Sequence, residues 1–143
     1  MDDFLRLEFP SRAQNEALAR VVVAAFASRL DPTVEELAEL KTAVSEAVTN
    51  AIVHGYENRL GTVWVTAFVT SDRHSVTDED RGCGIADVIQ ARQPLFTSKP
   101  EREHSGLGFT LMEKFTDEVH VESTPGIGTR VSLVKVIRSR AGV

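Results

Sequence analysis

The sequence is poor in the features that staple, anchor or export a chain. A single cysteine, Cys83, among 143 residues excludes an internal disulfide and points to a reducing compartment, the cytoplasm. No apolar run reaches the ~18 residues that a spanning helix needs, so no membrane partner is expected. The opening MDDFLRLEF places acids first and has no basic segment before its apolar residues, so no secretory signal is expected. Positive charge is in deficit: 16 Lys and Arg stand against 21 Asp and Glu, a net charge of −5. A free polyanion such as a nucleic acid is a poor partner for that surface, whereas a basic or mixed protein surface is not. A Walker A motif is missing, which excludes P-loop chemistry. His74, His104 and His120 are scattered without metal-ligand spacing.

What is present suits one domain over residues 1–143. Apolar residues make up 42%, enough for a core that needs no staple. FLRLEF (4–9) reads as a strand. Ser11-Arg-Ala-Gln14 spells a capping box for a helix with an apolar stripe of Leu18, Val21, Val22, Ala25 and Phe26. After Asp31-Pro32, a second box from Thr33 to Glu36 opens a long helix, about Val34 to His54. Leu37, Leu40, Val44, Val48 and Ile52 form its stripe, and Gly55 is expected to stop it. TVWVTAFVT (62–70), a polar turn and HSVTDED (74–80) give two strands, and Trp64 is expected to pack on their sheet. Residues 85–105 lack sustained periodicity, which in a compact domain usually marks function. LGFTLMEKF (107–115) is helical, and EVHVES, a P-G-I-G turn and TRVSLVKV form a last hairpin. The order β-α-α-β-β-loop-α-β-β predicts an α+β fold, a two-layer sandwich of a mostly antiparallel sheet with helices on one face.

Four segments carry candidate chemistry. In S-E-A-V-T-N-A-I-V-H-G, Glu46 and Asn50 lie one turn apart on one helix face, beside the small residues Ala43, Ala47 and Ala51. They are either a polar stripe or a site in which Asn50 offers Mg²⁺ a neutral oxygen and Glu46 takes a proton from an attacking hydroxyl. In D-R-G-C-G-I, Asp80 follows a strand, and Gly82 and Gly84 precede Ile85. This is a turn, or an acid that accepts from adenine's amino group with glycines that admit a flat ring. S-G-L-G-F, Ser105 to Phe109, is a glycine-rich helix start or a phosphate site of bare amides. G-I-G-T (126–129) is a hairpin turn whose Thr129 can place a hydroxyl near a base. Cys83 reads as a small filler, and Arg20 as a solvated arginine or a partner-binding edge.

The order and spacing of the four segments resemble the N, G1, G2 and G3 boxes of the GHKL ATPase and kinase superfamily, over roughly Phe4 to Val136. TAVSEAVTNAIVHGY, ARQPLFTSKPE and SGLGFTLMEKFTDEV look like its small serine kinases of spore-forming bacteria. The resemblance implies ATP or ADP with Mg²⁺ under a mobile lid. It implies Glu46 as general base, Asn50 as Mg²⁺ ligand and Asp80 on adenine with help from Thr129. Gly82, Gly84 and Ile85 would shape the base pocket, and His54 would either approach the nucleotide or close the helix. Residues Thr97 to Gly108 would form the lid, with backbone amides of Gly106, Leu107 and Gly108 and the side chains of Thr97, Ser98 and Ser105 on the phosphates. Lys99 would be either a phosphate partner or a solvated lysine, and Phe109 would also bind the nucleotide. The implied activity is phosphorylation of a serine on an anti-anti-sigma factor, by a homodimer that also holds a sporulation sigma factor inactive. A stress-response kinase of the same chemistry and a nucleotide-dependent binding module are the alternatives. One departure stands out: Asp78 shares a strand face with Asp80, where members carry an apolar residue. Either Asp78 lies at a wet edge, or it weakens the adenine pocket, or the strand register differs and the assignment of Asp80 falls.

Overall fold

Strand alternation and helix periodicity sort this chain into two layers. The computed structural model describes residues 3–57, 59–93 and 108–138. Its elements are β1 (Asp3–Pro10), α1 (Gln14–Ala27), α2 (Val34–Asn50), β2 (Thr62–Thr70), β3 (Arg73–Asp80), α3 (Val88–Ala91), α4 (Gly108–Phe115), β4 (Glu118–Thr124) and β5 (Gly128–Val136). A 3₁₀ turn (Ser28–Leu30) follows α1, and a π-helical turn (Ala51–Gly55) prolongs α2. The five strands run antiparallel in the order β1-β2-β3-β5-β4. The α+β expectation and the element order hold, with α3 added: Asp87 caps it by accepting the Gln90 N–H at 3.0 Å.

Because cross-strand partners point the same way, the register defines rows across the helix-covered face. Phe9, Val63, Asp80 and Thr129 form one row, and Leu7, Val65, Asp78 and Val131 the next. Val23, Phe26, Leu40, Val44 and Val48 close one cluster over β1 to β3. Ala43 and Ala47 let α4 approach α2, so that Phe109 and Met112 pack with Val131 and Leu133. At the far end Lys135 is buried, and its Nζ donates to Glu39 and to the Phe115 carbonyl at 2.7 Å. Trp64 lies on the opposite face of the sheet, where its Nε1–H donates to Glu8 at 2.6 Å beneath the Arg81 guanidinium.

Three local expectations are corrected. Ser11 does not cap α1: its hydroxyl donates to the Arg59 carbonyl at 3.1 Å and accepts the Gly61 N–H at 2.9 Å. The buried face of α1 is Ala19, Val23, Phe26 and Ala27, while Leu18 and Val21 are more than half exposed. Gly55 ends the helical run, as expected, but not in the left-handed conformation, since the positive φ falls at Glu57. The capping box of Thr33 and Glu36 forms as expected.

Candidate functional site

A cavity of about 340 Å³ opens between α2, the sheet and the segment after β3. Asp80, the last residue of β3, lines it and is paired with Thr129 of β5. Its Oδ1 accepts the Gly82 N–H at 2.9 Å. Burial pushes its carboxyl up to about 6, while the N–H groups of Gly82 and Thr129 pull it down. At Gly55 a Cβ would stand 2.8 Å from the Asp80 carboxyl carbon, so any larger residue there requires that carboxyl to shift. Gly84 takes φ +76°, a conformation glycine adopts without strain. Ser123 ties the wall together: its Oγ accepts the Ile85 N–H at 2.7 Å and lies 2.8 Å from Thr129 Oγ1. Tyr56 bolts the rim, accepting the Arg81 N–H at 2.8 Å and donating to the Thr62 carbonyl.

Glu46 and Asn50 reach the first residue of α4. A Cβ placed on Gly108 would lie 3.2 Å from Glu46 Oε2 and 3.5 Å from Asn50 Oδ1. A carboxylate, a carboxamide and the N-terminal end of a helix therefore meet where a side chain on residue 108 would fill the gap. An anion at such a helix end meets unsatisfied amides and a favourable dipole.

With this geometry in place, the relatives are informative. Residues 9–135 match the histidine kinase-like ATPase domain. The chain is 53% identical to the anti-sigma F factor of Thermoanaerobacter sp. (strain X514), with 96% of each chain covered. It is 54% identical to the anti-sigma F factor of Bacillus subtilis (strain 168), over 94% of this chain and 93% of that one. The chain belongs to the anti-sigma F factor family. Its fold is also that of the RsbU and RsbW domain structure from Mycobacterium tuberculosis, with a TM-score of 0.69 at 18% identity. That likeness covers 96% of this chain and 33% of the other, longer one.

In this family member, Asn50, His54, Asp80, Gly84, Ile85, Gly108, Phe109 and Thr129 all line the cavity. Gly82 lies beneath its rim, where a Cβ would run into the Gly55 carbonyl. Glu46 reaches the site through Gly108. Thr97, Ser98, Lys99, Ser105, Gly106 and Leu107 lie outside the described residues, as does the chain after Arg138. Cys83 lines the wall with its thiol donating to the His54 carbonyl at 3.1 Å, and burial raises its pKa, as a filler rather than a nucleophile requires. Arg20 pairs with Glu16 at 3.7 Å and is part-exposed.

Sequence reasoning missed Glu57, Asp87, Gln90 and Ala91 as lining residues. Glu57 had no local signal. Asp87 and Gln90 had one, an acid three residues before an amide at a helix start, hidden inside a segment read as irregular. Asp78 is not at a wet edge: it is 3% exposed and lines the cavity beside Asp80. Burial, and then the charges of Asp80 and Glu79, raise its pKa well above the carboxylate range.

Proposed function

We infer that the chain is an ATP-dependent protein serine kinase as well as an anti-sigma factor. In this reading the cavity holds ATP or ADP, with the base at Asp80 and the phosphates at Gly108. The carrying observation is that Glu46 and Asn50 converge on Gly108, which lines the same cavity as Asp80. Asn50 suits Mg²⁺, a hard cation that takes few protein ligands and leaves the rest of its shell to phosphates and water. Among the described residues no cluster of three His, Cys, Asp or Glu could hold a metal, which fits an ion carried in with the nucleotide. When bound, Mg²⁺ neutralises charge on the phosphates. Glu46 accepts the proton of the substrate serine as its oxygen attacks the terminal phosphorus of ATP, and ADP leaves. The substrate is an anti-anti-sigma factor, and the other partner is a sporulation sigma factor.

A homodimer is supported by the apolar surface of β1 and α1. Phe4, Leu18 and Val21 are each more than half exposed there, beside a groove lined by Leu5, Val22 and Phe26. The same chemistry would serve a stress-response partner, but relatives covering nearly the whole chain bear the anti-sigma F name. Incubation with γ-labelled ATP, Mg²⁺ and the anti-anti-sigma protein tests the reading. Label transferred to serine supports it; tight nucleotide binding with no transfer leaves a binding module.

A further inference from the structure

Asp78 stands between Val65 and Val131 on the inner face of the sheet, where alternation calls for an apolar side chain. It is 3% exposed, it lines the cavity, and its Oδ1 has no hydrogen-bond partner among the described residues. The ionisable groups around it are Asp80 on the same face, Glu79 on the same strand, and His54, Glu57, Cys83 and Asp87 around the cavity. No lysine or arginine is among the described lining residues. An ionised carboxylate buried there would meet no cation among the described lining residues, so the protonated form is favoured. A protonated Asp78 beside an ionised Asp80 offers a ligand one donor and one acceptor. A 6-aminopurine has the matching edge: an amino donor flanked by ring nitrogens that accept.

We propose that Asp78 reads the purine directly, its O–H donating to a ring nitrogen next to the amino group while the Asp80 carboxylate accepts from that amine. The proposal rests on the cavity being an adenine-nucleotide site. It makes Asp78 a specificity residue where an apolar side chain would give only contact. It also makes affinity depend on protonation: ionised Asp78 has no hydrogen to give and adds a second negative charge beside Asp80.

Calorimetric titration with Mg·ADP, 1-deaza-ADP and 7-deaza-ADP tests it, on the intact chain and on Asp78→Asn and Asp78→Val. The unaltered protein is expected to bind one deaza analogue about tenfold more weakly than ADP. Asp78→Val should bind that analogue and ADP equally. Asp78→Asn keeps a donor, so it should keep the discrimination, with an affinity that no longer falls as pH rises through the ionisation of Asp78. Equal affinity of the unaltered protein for ADP and both analogues overturns the proposal and leaves the nucleotide site standing. So does discrimination that survives in Asp78→Val. Failure of the unaltered protein to bind ADP at all overturns the nucleotide reading itself.

Discussion

Gly55 and Asp80 adjoin in the cavity wall, and the place a side chain on Gly55 would take is held by the Asp80 carboxyl. Gly55→Ala should therefore displace Asp80 by a few tenths of an ångström or more, because the Cβ would sit 2.8 Å from its carboxyl carbon. Affinity for ADP, measured by calorimetry, is expected to fall by about tenfold or more, with a stability cost of about 1–3 kcal/mol.

Glu46→Ala removes the proposed base and leaves Asn50 and the end of α4 in place. Phosphorylation of the anti-anti-sigma protein should slow by about 10²-fold or more, with ADP affinity near normal. An unchanged single-turnover rate would remove Glu46 from the chemistry.

Asp78→Val should stabilise the ligand-free protein. The folded-state pKa of Asp78 is raised above its ordinary 3.8, so its favourable balance is complete below that value and is lost as pH rises toward the folded pKa. The gain in unfolding free energy should thus widen above pH 3.8, by about 1.4 kcal/mol per pH unit until Asp78 ionises. Chemical denaturation at several pH values measures that slope.

His74 is fully buried in an edge-to-face pair with Phe26, and neither ring nitrogen has a partner among the described residues. Burial lowers its pKa from 6.5 to about 4. Above pH 6.5 it is neutral whether folded or unfolded; between 6.5 and 4 only the unfolded chain takes up the proton, so stability is lost as pH falls. The loss is on the order of 3 kcal/mol. His74→Leu should abolish that part of the acid sensitivity, read from denaturation midpoints at pH 7 and pH 4.5.

Ser11→Ala tests the corrected role of that hydroxyl. A lost helix cap would lower the helical signal in circular dichroism. A lost clamp on the 59–61 segment should leave it unchanged and cost about 1 kcal/mol, through the Gly61 N–H and the Arg59 carbonyl.

The strands and long helices were legible because period-two alternation and the Thr33 box are local signals. So was the group of Glu46, Asn50, Asp80, Gly108 and Thr129, through the order and spacing of their motifs rather than any one residue. What was not legible depended on partners distant in sequence. Ser11 fits a capping pattern, but its hydroxyl is engaged some fifty residues away. The dry face of α1 is built largely from alanines, which carry little periodic signal beside Leu18 and Val21. Gly55 sits where a helix stop belongs, yet its reason is Asp80. Asp78 could be placed on the right strand face from the sequence alone, but its burial between two valines could not.

The π-helical turn at the end of α2 makes the length of that helix matter as much as its composition. The Tyr56 N–H reaches back five residues to the Ala51 carbonyl at 3.1 Å, and the Gly55 carbonyl is left to accept the Cys83 N–H at 2.8 Å. Trimming one residue from this coil would rewind everything after it by about 100°. Gly55 would leave Asp80, and the latch to Cys83 would open in the same step. Drift in the side chain of Val53 should be tolerated far better than a lost codon here.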